Sequence, residues 1–170
     1  MSRAYDNAAD ARLQQGGRRN LIINGAMQVA QRGTSTSMAH DGTRDAFGAD
    51  RFRMDMSSTH DSLDGTLEQA SDAPDGFQKS VKWTTGTAEG SPYADDEYYN
   101  IYYKLEAQDL QHLQYGTSGA KSITVSFWVK CSQTGTFALS NYVADGPRNI
   151  VKTYTIDTAN TWEHKVITFP

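Results

Sequence analysis

Apolar and polar side chains alternate over residues 123–131, with Ile123, Val125, Phe127, Val129 and Cys131 on one face and Thr124, Ser126, Trp128 and Lys130 on the other. Successive side chains of a strand point to opposite sides, so this period of two predicts a half-buried strand with the first set inward. Phe52, Met54 and Met56 alternate in the same way with Arg53 and Asp55. Phe77, Val81 and Trp83 share a face with Lys79 between them, which predicts a less regular strand. Leu21-Ile22-Ile23 is a short apolar run ended by Asn24-Gly25, a pair that tolerates positive φ, and it predicts a strand that stops at a sharp turn.

The remaining segments extend this pattern. Residues 98–103 are aromatic and β-prone, and Leu105, Leu110 and Leu113 with Glu106, Gln108 and Gln111 lean helical, so a strand followed by a short helix or turn ending at Gly116 is expected. Phe137, Leu139 and Val143, a turn at Asp145-Gly146-Pro147, and a Val-, Tyr- and Thr-rich run over 150–156 predict a hairpin. Residues 162–169 predict the next strand. Residues 34–49 and 84–97 carry the Ser, Thr, Gly and Asp of loops. Many strands at short spacing with little helix predict an all-β fold, an antiparallel β-sandwich of jelly-roll type over residues 20–170. No repeat of fixed period is visible, which argues against a solenoid. Residues 1–19 stand apart: their alanines allow a short helix, yet only Tyr5 and Leu13 could anchor it. They read either as a disordered tail or as a segment that orders by docking on another subunit.

A length of 170 residues with 38% hydrophobic content fits one domain with a modest core. The formal net charge is −4, with 16 Lys and Arg scattered among 20 acids, so a nucleic-acid partner is not expected. No apolar run approaches the roughly 20 residues needed to cross a bilayer, and the N-terminus lacks the apolar centre of a signal peptide. The chain is therefore expected to be made and kept in the cytosol until something else carries it out. A single cysteine, Cys131, forbids an internal disulfide, and its inward position reads as a small buried hydrophobe rather than a reactive thiol.

Four blocks carry a resemblance: NLIINGAMQVAQRGTST at 20–36, GADRFRM at 48–54, KSITVSFWVKCSQTGTF at 121–137 and TWEHKVITFP at 161–170. In this order they resemble a family of bacteriophage tail-fibre and other virion structural proteins with a jelly-roll domain like that of carbohydrate-binding modules. The resemblance covers most of the chain after residue 20. It implies a virion component, assembled in the host cytoplasm and released by lysis, often as a homotrimer and in contact with other virion proteins. In that family the last motif is followed by further strands, so either the sequence continues beyond Pro170 in the intact protein or a neighbouring chain completes the sandwich. Related carbohydrate-binding sandwiches often hold a structural calcium near the opening strand, where an acid commonly follows Asn-Gly; Ala26 stands there in this chain.

Catalytic chemistry is sparse. His40, His60, His112 and His164 lie far apart without metal-ligand spacing, and no nucleophile elbow, phosphate-binding loop or dinucleotide motif occurs. Asp95, Asp96 and Glu97 are the candidate ligands for a calcium ion, which takes clustered carboxylate and carbonyl oxygens; the blander reading is a solvated acidic loop. No other cofactor is implied. Sugars stack their C–H faces on exposed rings, and aromatics form 11% of the chain, with Tyr93, Tyr98, Tyr99, Tyr102, Tyr103 and Tyr115 crowded in one region. Tyr98, Tyr102 and Trp128 are the candidate glycan platform, while the alternative is that these rings fill the core or a subunit interface.

The expected protein is thus a non-enzymatic phage virion component, a tail-fibre or appendage module meeting host-surface polysaccharide. Residues 1–19, with Tyr5 and Leu13, would serve for virion attachment. A capsid decoration or head-fibre protein is the second reading, and a polysaccharide-degrading enzyme the third.

Overall fold

The computed structural model describes residues 20–57, 59, 62–88, 90, 94–143, 146 and 148–170. Tyr5, Leu13 and the rest of the N-terminal segment lie outside the described residues, as do His60, Tyr93 and the Asp145 and Pro147 of the expected hairpin turn. The fold is all-β with antiparallel sheets packed as a sandwich. Its strands are β1 (Ser35–Ala39), β2 (Asp45–Ala49), β3 (Phe52–Met56), β4 (Asp64–Ala70), β5 (Ser80–Thr85), β6 (Tyr99–Tyr103), β7 (Ile123–Val129), β8 (Gly135–Val143), β9 (Arg148–Ile156) and β10 (Glu163–Phe169). Among the described residues a single short helix, α1 (Ala107–Leu110), runs into a 3-10 turn at Gln111–Leu113 after β6. The strands pair as β1-β4-β5, β2-β3-β6, β7-β10 and β8-β9. These pairings do not by themselves trace a jelly-roll order.

The first half packs β1-β4-β5 against β2-β3-β6. Met38, Leu63 and Leu67 meet Ala46, Met54 and Met56 in one buried cluster, with Val81 and Trp83 against it. Full burial of each larger side chain contributes about 1.5–3 kcal/mol. Gly48 sets how close the sheets come: a Cβ there would lie 2.7 Å from Val81 Cγ1 and 3.2 Å from Leu67 Cγ. The pairing of β2 with β3 shifts between Phe47 and Ala49, and such a bulge kinks the strand locally.

The second half packs β7-β10 against the β8-β9 hairpin. Phe127 meets Tyr154 edge-on at 5.2 Å, and Tyr154 stacks on Phe137 at 5.9 Å. Ile156, Ile167 and Phe169 are buried beneath them. The alternation of β7 has the expected phase, with Ile123, Val125, Phe127 and Val129 turned inward. All four are only half-buried, because a two-stranded hairpin is too narrow to cover the whole face. Cys131, just beyond the strand, is half-buried as well.

Three expectations are corrected. Leu21-Ile22-Ile23 forms no strand: Ile22 N–H donates to Asn20 Oδ1 and Ile23 N–H to the Tyr103 hydroxyl, so the donors a ladder would use are taken elsewhere. The turn after it does use a positive φ, 59° at Asn24. Residues 34–49 are not a loop but hold β1 and β2, since a strand covered on one face needs only alternate apolar positions and Met38 and Ala46 supply them. Phe77 precedes β5 and is exposed rather than sharing its face.

Asp72 links the halves. Its backbone carbonyl accepts from the Ser80 hydroxyl at 2.7 Å, while its carboxylate accepts from Lys130 Nζ at 2.7 Å and from the Trp162 indole at 3.1 Å. The hydrogen bond from Lys130, then that from Trp162, holds the Asp72 carboxyl below its ordinary 3.8. A depressed carboxylate stabilises the fold above the unfolded value and loses that contribution as pH falls through the folded one. Asp72→Asn should therefore melt below wild type at pH 7, and the gap should close as the pH is lowered past 3.8. Paired melts across that range check it; a gap that stays constant to pH 2 rules out the titrating link.

Candidate functional site

A groove of about 480 Å³ lies on the outer face of β2-β3-β6. One wall is the 20–36 segment, contributing Ile23, Asn24, Val29, Gln31 and Arg32. Asn24 shapes this wall. Its side-chain amide donates to the carbonyls of Val29 and Asp50 at 3.0 and 2.9 Å, and its Oδ1 accepts from Val29 N–H at 3.1 Å. The Asp50 N–H donates to Val29 O at 2.9 Å, and Asp50 Oδ1 accepts from Gln31 N–H at 3.0 Å. The segment is anchored behind by Gln69, whose amide donates to Met27 O at 2.6 Å. The first two blocks of the sequence resemblance, 20–36 and 48–54, thus meet in space and supply part of the groove's lining.

The floor is a row of side chains at one level of the sheet. Phe47 on β2 is the register partner of Arg53 on β3, and Arg53 is the partner of Tyr102 on β6. Two further cations extend the row. Arg32 lies 4.2 Å from the Phe47 ring centroid, Arg53 lies 5.1 Å from Phe47 and 5.7 Å from Tyr102, and Lys104 lies 5.4 Å from Tyr102. Cation and ring therefore alternate along five positions, each pair attracted through the ring quadrupole. Arg53 is also ion-paired with Asp45. Arg51, at the β2–β3 turn, pairs with Glu106 at 3.0 Å and takes a φ of 77°, which for a residue other than glycine costs roughly 1–2 kcal/mol.

Of the expected glycan residues, Tyr102 lines the groove. Tyr98 stands on the same side of the sheet near the start of β6, donating from its hydroxyl to Asp55 Oδ2 at 3.2 Å. Burial, then the charge of Asp55, pushes its phenol up. Trp128 is not brought to them. It projects from the outer face of β7 in the other half, 42% exposed, with the His164 ring 5.1 Å away. Asp95, Asp96 and Glu97 sit at a turn in which Glu97 Oε2 accepts from Ala94 N–H at 2.9 Å. Among the described residues no group of three or more His, Cys, Asp or Glu side chains is arranged to hold a metal ion.

Arg32, Phe47, Arg51, Arg53 and Lys104 were not singled out by sequence. Arg53 was legible as the polar side of an alternating strand, but only the pairing of β2, β3 and β6 places it between two rings. The Lys and Arg scattered along the chain are gathered here as four cations lining one groove beside one carboxylate, Asp50. A hydrolase using two carboxylates would not find its pair in this lining. No protein-family profile, curated protein or solved structure matches the chain.

Proposed function

We propose that the protein is a bacteriophage virion structural protein, a fibre or appendage module of jelly-roll type that binds host-surface saccharide in the groove over β2-β3-β6. The observation that carries this reading is the row of Phe47, Arg53 and Tyr102 at the floor of a concave site. Concavity, rings and a few convergent polar groups are what saccharide recognition requires. The four-block resemblance supports the virion setting, and two of those blocks contribute residues to the groove. Residues 1–19, with Tyr5 and Leu13, attach the module to other virion proteins within the same proposal. The module works as a homotrimer, without catalysis and without a required cofactor.

An array of bacterial surface polysaccharides probed with the intact protein tests the reading. Tyr102→Ala should weaken binding about tenfold, since truncating an aromatic anchor costs more than about 1 kcal/mol, while Trp128→Ala should bind as wild type. Loss of binding on Trp128→Ala with Tyr102→Ala unaffected would move the site to β7.

A capsid decoration or head-fibre role is the second reading. Tyr142 and Val151 are exposed on one face of the β8-β9 hairpin and Val143 and Ile150 on the other, exposed apolar side chains of the kind a neighbouring subunit covers.

A further inference from the structure

We infer that the groove selects acidic saccharides, chains bearing carboxylate, sulfate or phosphate groups, over neutral ones; this rests on the saccharide reading above. A neutral sugar binds an aromatic platform by laying its C–H face on a free ring face. In this groove each ring also has cations beside it. Phe47 has Arg32 and Arg53 as cationic neighbours, and Tyr102 has Arg53 and Lys104, at 4.2 to 5.7 Å from the ring centroids. The floor therefore offers a ligand N–H donors next to its rings.

The charge is not cancelled locally. Asp45 neutralises Arg53 and Glu106 neutralises Arg51. Arg32 and Lys104, at the two ends of the row, have no carboxylate within ion-pair distance among the described residues, and both are exposed. Asp50, the carboxylate in the lining, keeps its charge while accepting the Gln31 N–H, so the four lining cations against Asp45, Glu106 and Asp50 leave an excess of one positive charge. The two cations without an ion-pair partner among the described residues sit at opposite ends of the row, which suits a chain with repeated anionic groups better than one small anion. Arginine's planar fork matches carboxylate and sulfate oxygens two at a time. Stacking on Phe47 limits the rotamers Arg32 must give up on binding. The chain as a whole carries a net charge of −4, so its overall charge does not attract polyanions and the groove's local cations would have to do so.

The test is a glycan array in which each acidic saccharide (uronate, sialate, sulfated) is printed beside its methyl-esterified or desulfated counterpart, with an oligothymidylate as a non-saccharide polyanion. The intact protein should bind acidic members at least tenfold more strongly than their neutral counterparts, and the signal should fall with added salt as exposed charges are screened. Arg32→Gln combined with Lys104→Gln should remove that preference while melting as wild type, because both side chains are exposed. Equal binding of acidic and neutral members, still sensitive to Tyr102→Ala, would overturn the acidic selection and leave the saccharide site standing. Binding to no saccharide would overturn both. Oligothymidylate bound as tightly as the best glycan, and lost in the double variant, would make the groove a general polyanion site and overturn the inference.

Discussion

Leu67→Ala is expected to lower stability by about 2–5 kcal/mol, the range for truncating a leucine in a core that cannot collapse. Leu67 is 0% exposed at the centre of β4, with Thr36 of β1 and Trp83 of β5 as register partners. Opposite it is Gly48, where a Cβ would lie 3.2 Å from Leu67 Cγ. A glycine has no side chain to swing into the space the leucine leaves. The gap could close only if β2 moved, and β2 is held by β3 on its edge and by the Asn24 bridge between Val29 and Asp50. A protein of this size loses roughly 2–4 °C of melting temperature per kcal/mol, so the shift should be plain in a thermal melt. A loss under about 1 kcal/mol would mean that the sheets close over the site, a smaller cavity term than rigid packing gives.

Phe169→Ala is expected to cost about 3–5 kcal/mol, the usual loss for a buried aromatic. Phe169 is 2% exposed and pairs with Ile123 across β10 and β7. The inward side chains of β7 are only half-buried, so Phe169, Ile156 and Ile167 contribute a large share of the well-buried apolar surface in the second half. Removing the largest of them leaves β7 and β10 joined mainly by backbone pairing, which for a two-stranded ladder is marginal in water. Denaturant unfolding followed by tryptophan emission checks this, because Trp128 and Trp162 both lie in this half. An unchanged midpoint would show that Tyr154 and Phe137 cover the face without Phe169.

The strands that sequence located best were those whose two faces meet different surroundings. In β7 and β3 the alternation set the phase, because one side faces protein and the other water. Depth was not legible, since it depends on the width of the covering sheet, and the β8-β9 hairpin covers β7 incompletely. The 21–23 run misled because propensity counts side chains, whereas Asn20 and Tyr103 claim the backbone donors. The polar stretch at 34–49 misled the other way: spaced apolar residues are enough for strands that bury one face.

Of the glycan candidates, Tyr102 was accessible to sequence reasoning because aromatic crowding around it is a local property. Its partners were not, because Arg32, Phe47, Arg53 and Lys104 come from separate segments and share no spacing.

Sequence alone determined the class of this protein, all-β with antiparallel pairing, because a side-chain period of two is written into consecutive residues. It also determined the sharp turn at Asn24-Gly25, since few residues tolerate that backbone. Only the tertiary structure decided which strands became neighbours, how deeply each face was buried, and that cations from three segments line one groove. Those properties depend on pairing register and sheet packing, which join residues distant in the chain, and no local pattern encodes a distance between them.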